Sequence, residues 1–402
     1  MNTIRYDLLL FFFALLVLAA ACQEEEPLDN TPDPAEEPTF TLAEVFGGHI
    51  DTANLYPYAS QPIPAYVTRD NTAGNPITDA GATLGRVLFY DKALSVDQSI
   101  SCASCHKQSL AFGDDQPLSE GVNGLTHRHS MRLVNARFAN EERFFWDERA
   151  ATLEEQSTMP IRDHAEMGFS GQEGSPAFED LIERLENLPY YPTLFDMAFG
   201  DPAITEERMQ LAISQFVRSI QSFDSKYDAG RAQVDLDMPP FPNFTPQENH
   251  GKQLFLTPPD LNAEGVRVGG GVGCAACHVP PTFDINPHTH NNGLTTVAGE
   301  SRGTDLDNTR SPSLRDLFHP DGSLNGPMMH DGNFPTFQSV LDHYNNMTLK
   351  VNPNLDLRLT RNGTPQRLQI TDEERAAVEA FVKTLSGIEL YTAEQWSDPF
   401  LR

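Results

Sequence analysis

Two copies of one five-residue pattern constrain this chain more than anything else in it: Cys102-Ala-Ser-Cys105-His106 and Cys274-Ala-Ala-Cys277-His278. C-x-x-C-H is the attachment sequence for c-type haem. Cysteines at i and i+3 share one face of a helical turn, so both thiols can form thioethers to one porphyrin. The adjacent His then offers an imidazole nitrogen to the iron as proximal ligand. A redox disulfide would not require His in the last position twice. A zinc site would need the two cysteine pairs close in space, and an exported chain favours disulfide or haem over zinc. The only other cysteine is Cys22. Two covalently bound haem c groups are therefore expected, one on Cys102, Cys105 and His106, the other on Cys274, Cys277 and His278.

The two motifs sit in a degenerate internal repeat. Gly85-Arg86-Val87-Leu88-Phe89 precedes the first in a helical pattern, and Gly251-Lys252-Gln253-Leu254-Phe255 precedes the second. The stretch Thr245-Pro246-Gln247-Glu248 is a capping box with Pro at the first helical position. Each half closes with an amphipathic helix. One follows Thr205 and buries Met209, Ile213, Phe216, Val217 and Ile220. The other starts at Thr371-Asp372-Glu373-Glu374, buries Val378, Phe381, Val382 and Leu385, and stops at Gly387. Helix, haem motif, irregular ligand-bearing loop and closing helix is the plan of a class I cytochrome c. The expected fold is mainly α, two cytochrome c-like haem domains in tandem with long irregular loops, which 27 Gly and 30 Pro favour.

The N-terminus is different. Leu8 to Ala21 is an apolar run of fourteen residues, the length of a signal-peptide core rather than a membrane span. It ends in small residues followed by Cys22, a lipobox pattern in which Cys22 becomes lipidated. Gln23 to Pro38 then holds seven acids and four prolines and reads as an extended tether. The expected division is 1–21 signal peptide, 22–40 tether, 41–235 N-terminal haem domain and 236–402 C-terminal haem domain. The product is an exported, periplasmic lipoprotein anchored to a membrane. One long apolar run excludes a multi-pass membrane protein. A formal charge of −29 argues against nucleic acid and suits a partner with a basic docking face.

Further motifs carry a resemblance. The Leu-Gly-Arg-x-Leu-Phe stretch, Ser101 to His106, Arg132-Leu133-Val134-Asn135, the Trp146-Asp147-x-Arg149 box, Gln156 and Glu166 ten residues apart, and His330-Asp331-Gly332 together resemble the bacterial dihaem cytochrome c peroxidase family. That family includes the relative that matures the tryptophan tryptophylquinone cofactor. The likeness runs from about Gly81 to Gly387.

The resemblance implies that His106 serves the iron where peroxide reacts and His278 the iron that receives electrons. It implies that Trp146 is a relay between them and that Gln156 and Glu166 are the distal pair at the peroxide site. The chemistry agrees. Cleaving the O–O bond heterolytically moves one proton from the inner to the outer oxygen. A carboxylate in an apolar pocket, its pKa raised by desolvation, can do this. Gln156 would orient the oxygens without adding charge.

Three positions depart from the family pattern. The loop His that blocks the peroxidatic iron in members needing reductive activation is matched by Gly121, with His127 and His129 nearby as substitutes. His129 also stands where the family has an Asn associated with calcium, so a bound calcium ion is in doubt, although Arg310-Ser311-Pro312 offers carbonyls. The sixth ligand of the second haem, Met in typical peroxidases, is matched by Tyr344, the residue type of the quinone-maturing relative. His343, Met347, Met328 and Met329 remain alternatives on spacing, with Met347 foremost.

The expected activity is reduction of hydrogen peroxide to water with electrons from a small exported cytochrome c or blue-copper protein. The alternatives are oxidation of a protein or small substrate, as in quinone-cofactor maturation, and electron transfer without catalysis. A homodimer is compatible with all three.

Overall fold

Two helix pairs of the same construction carry the molecule, each crossing at a glycine. The computed structural model describes residues 41–140, 143–300, 303–347 and 352–401. The signal peptide, the tether and Cys22 lie outside them. Along the described chain run α1 (Leu42–Phe46), α2 (Asp79–Tyr90), α3 (Cys102–Cys105), α4 (Leu153–Arg162), α5 (Phe178–Glu186), α6 (Tyr190–Phe199), α7 (Glu206–Ser219), α8 (Lys226–Arg231), α9 (Pro246–Leu256), α10 (Phe337–Asn345) and α11 (Asp372–Lys383). The strands among these residues form three two-stranded antiparallel ladders: β1 (Pro259–Leu261) with β2 (Arg267–Gly270), β3 (His278–Val279) with β4 (Asp284–Ile285), and β5 (Thr360–Arg361) with β6 (Thr364–Pro365). The expectation of a mainly α chain with long irregular connections is borne out.

The first pair is α2 against α7. A Cβ on Gly85 would lie 2.0 Å from the carbonyl oxygen of Ala212, so the backbones touch where any side chain would hold them apart. The second pair, α9 against α11, repeats the arrangement, with a Cβ on Gly251 falling 1.8 Å from the carbonyl of Ala377. The repeat read from sequence is thus a repeat of contact geometry. Around the first pair lies a core that includes Leu84, Leu88, Phe89, Met209, Ile213 and Phe216; around the second, one with Phe255, Phe283, Val378, Phe381 and Val382. Leu390 and Trp396, far along the chain, pack into the first core.

The caps are those the sequence proposes. Thr205 accepts from the Arg208 amide, and Thr245 and Thr371 form full capping boxes with Glu248 and Glu374. The helix α11 ends at Lys383, short of the expected stop at Gly387. Thr384 and Leu385 turn back onto the carbonyls of Phe381 and Val382, and Leu385 is buried from that turn. Gly387 serves another purpose. Its amide donates to Asp316, and a Cβ there would strike the Asp224 carboxylate at 2.1 Å.

Candidate functional site

Each C-x-x-C-H motif opens on its own cavity, and the local chain explains how. Ser101 caps the one-turn helix α3, with the Ser104 hydroxyl accepting from its amide. After His106 the chain reverses through Ala111 and Phe112, both at positive φ (55° and 59°). The Phe112 carbonyl then lies 3.0 Å from His106 Nδ1 and accepts its proton. The second motif is built likewise from a 3-10 turn at Cys274–Ala276. His278 leads β3, Phe283 takes φ 54°, and its carbonyl faces His278 Nδ1 at 3.3 Å. In both, the carbonyl fixes the tautomer that leaves Nε2 as a lone-pair donor, the state an iron ligand needs.

Burial holds both imidazoles neutral by pushing their pKa down, His278 to about 4. It pushes the thiols up, to about 12 for Cys102 and Cys274 and about 11 for Cys105 and Cys277. All four thiols are free, which removes the disulfide reading. The pairs line separate cavities, so a four-cysteine zinc site is not formed. Free paired thiols beside a neutral imidazole fit a covalently attached haem in each cavity.

The first cavity collects the residues proposed from sequence for peroxide chemistry. Gln156 projects from α4, which Thr152 caps through the Glu155 amide. Beyond α4 the Asp163 carboxylate accepts from the amides of Ala165 (2.9 Å) and Glu166 (3.1 Å), a turn that brings Glu166 back over the helix. Gln156, Glu166, Trp146, Cys102, Cys105 and His106 all line this cavity. The side chains of Gln156 and Glu166 make no hydrogen bond to the described residues. Burial, with a smaller contribution from Asp163, raises the Glu166 pKa to about 7.

Trp146 lines both cavities. Its indole Nε1 donates to the carbonyl of His129 at 2.7 Å, and its own carbonyl accepts from Thr309 and Arg310. Asp147 and Asp305 grip Arg128 at 2.7 and 2.9 Å, tying the Trp box to the loop from the second half. The buried His129 ring bonds the carbonyls of Gln116 and Pro117, while His127 is exposed. Among the described residues no group of three His, Cys, Asp or Glu side chains is placed to hold a metal ion.

In the second cavity Tyr344, on α10, stands with Cys274, Cys277, His278, Met328, Met329 and His330. Asn292 donates its side-chain amide to the Tyr344 hydroxyl at 3.3 Å and to Met329 sulfur at 3.4 Å. His343 is turned to the Asn292 carbonyl at 3.0 Å. Met347 is not among the residues lining the cavity; its methyl packs on Gly293.

Sequence reasoning gave no role to several residues at the first cavity that come from the second half, Thr282, Asp284 and Ser313 among them. Asp284 is buried with Oδ2 unpaired, and burial lifts its pKa to about 7. An acid in a hairpin carries no signal of burial until the opposing wall is known.

Residues 79–234 match the family described as Di-haem cytochrome c peroxidase. The chain is 28% identical to the methylamine utilization protein MauG of Methylophilus methylotrophus over 325 residues, covering 78% of this chain and 84% of that protein. It is 26% identical to the cytochrome c551 peroxidase of Nitrosomonas europaea, over 76% and 80% of the two chains. Among solved structures, a MauG-like protein associated with microbial copper homeostasis superposes with a TM-score of 0.65 at 26% identity, over 85% of this chain and 99% of that one.

Proposed function

Because the chain belongs to the di-haem cytochrome c peroxidase and MauG family, a family of haem oxidoreductases, we propose that it reduces hydrogen peroxide to water. The two electrons come from a small exported carrier protein. The single observation that carries this reading is Glu166, an unpaired carboxyl with a pKa near 7 facing the first cavity. Cys102, Cys105 and His106 would hold the haem whose iron would meet peroxide, and Cys274, Cys277 and His278 would hold a second haem that would supply electrons to it.

The protein's own part is positioning and proton movement. Glu166, ionised, takes the proton from the inner oxygen of peroxide and returns it to the outer one. The leaving group is then water rather than hydroxide. Gln156 orients the oxygens through a neutral amide, so it does not compete for the proton. Burial of Glu166 matters because a carboxyl of ordinary pKa would be too weak a base. Trp146, held by the His129 carbonyl in the wall common to both cavities, is the relay. The balance is one peroxide, two electrons and two protons to two waters.

Tyr344 favours a second reading, oxidation of a protein or small substrate in the manner of quinone-cofactor maturation. A phenolate at the second iron would favour ferric iron and lower its potential, easing storage of oxidising equivalents across both haems. Steady-state peroxide turnover with a reduced small cytochrome or blue-copper donor separates the two: the peroxidase reading requires donor oxidation in proportion to peroxide, and its absence overturns it. Family members are periplasmic, and we read Leu8 to Ala21 with Cys22 as the export and lipid-attachment signal.

A further inference from the structure

Among the described residues Arg132 is a cation without an ion-pair partner, at the place where the two cavities meet. Its stem lies over Gly113, beside the loop that holds His106; a Cβ on Gly113 would come within 2.8 Å of Arg132 Cγ. Its head reaches the second half, where Nη2 donates to the Ser313 carbonyl at 3.0 Å. Nε is buried and has no partner, and the side chain lines both cavities. Arg315, Arg218 and Arg128 are ion-paired, with Asp228, with Glu154 and with Asp147 and Asp305. The fully buried Arg86 has no ion pair but has Nε, Nη1 and Nη2 each bonded to a carbonyl or hydroxyl oxygen, whereas Arg132 leaves Nε with neither. Arg132 forms no ion pair with a described carboxylate; Asp316 and Tyr391 act on it only at a distance, and burial works against its charge.

An unpaired buried guanidinium is costly, and an anion arriving beside it would relieve that cost. The cofactor expected in each cavity brings propionate carboxylates, for which the planar fork of Arg is the matching donor. Ser313 itself lines the first cavity, but its neighbour Leu314 lines the second, and the segment is tied to the histidine of the second motif. Ser313 belongs to the segment whose next amide, that of Leu314, donates to the Phe283 carbonyl at 3.0 Å, the same carbonyl that receives His278 Nδ1.

Resting on the reading that haem c is bound at both motifs, we propose that Arg132, carried by the first half of the chain, pairs with a propionate of the haem at Cys274, Cys277 and His278 and raises that haem's reduction potential. Ferric haem carries one more positive charge than ferrous haem, so a nearby cation disfavours the ferric state.

The test compares the wild-type holoprotein with Arg132→Met, of similar length and no charge, with Arg132→Gln as a second neutral variant and Arg132→Lys to keep the charge. Covalent haem is counted first by the pyridine haemochrome; fewer than two haems in the wild type would sink the underlying reading, not this one. Potentiometric titration followed by visible absorbance and electron paramagnetic resonance then resolves the two haems. Met and Gln are expected to shift the ferric-to-ferrous ratio of the second haem about tenfold toward ferric, 59 mV for a one-electron couple, and Lys to restore most of it. An unchanged second haem in either neutral variant, or a larger shift at the first haem, overturns the proposal.

Discussion

Gly121 and Glu166 touch backbone to backbone. The amide of Val122 donates to the Glu166 carbonyl at 2.8 Å, and a Cβ on Gly121 would fall 2.1 Å from the Ala165 carbonyl oxygen and 2.8 Å from Glu166 Cα. The loop that the family resemblance matches to a blocking His is here pinned to the turn that presents Glu166. A His at 121 would have no room without displacing Glu166.

From this follows an open first site. Fully oxidised protein is expected to bind cyanide, followed by its visible spectrum, without prior reduction. Binding only after one-electron reduction would point to a blocking ligand, and Ala variants of His127 and His129 would identify it.

Gly121→Ala is the structural counterpart. The added methyl must push the 163–166 turn, at a cost of about 1–3 kcal/mol. Peroxide turnover should fall with it while haem content stays constant. Unchanged melting temperature and turnover would show that the contact is slack.

Glu166→Gln keeps size and hydrogen bonding but cannot carry a proton, so turnover should drop by roughly 10²–10⁴. The base form exists above a pKa of about 7, so wild-type kcat/KM should rise with pH through neutrality and the variant should lack that limb. A variant within a few-fold of wild type would assign the proton to another group.

Asp284 makes a prediction about stability. Its folded pKa, about 7, lies above its ordinary 3.8 because of burial. The neutral acid's contribution is therefore complete below about pH 4 and lost as pH rises through about 7. Asp284→Asn should be more stable than wild type at pH 8, by up to about 4 kcal/mol, and close to it at pH 4. Denaturant titrations of the holoprotein at both pH values check the sign.

Tyr344→Phe should alter the spectrum of the second haem alone, and oxidised wild type should lack the weak near-infrared band of His/Met ligation. If that band is present and Met347→Ala removes it, Tyr344 is not the ligand.

The haem motifs, the repeat and the helix caps were legible because each is local chemistry: a thiol spacing, a hydrophobic period, a side chain reaching three residues ahead. Thr245, Thr371 and the Gly85 and Gly251 pair needed no tertiary information to be noticed. What the glycines were for did, since a close approach has no signature until the second helix is known. The same division applies to charge. A net charge of −29 is a sum and carries no position; at the second cavity the exposed lining residues Leu357, Arg358 and Arg361 present an apolar and cationic edge. Sequence alone determined that two haem motifs of one design occur in this chain. Only the tertiary structure decided that Gly121 leaves no space beside Glu166, that Asp284 is desolvated, and that Arg132 spans both halves, because burial and unpaired charge come from the meeting of segments far apart in sequence.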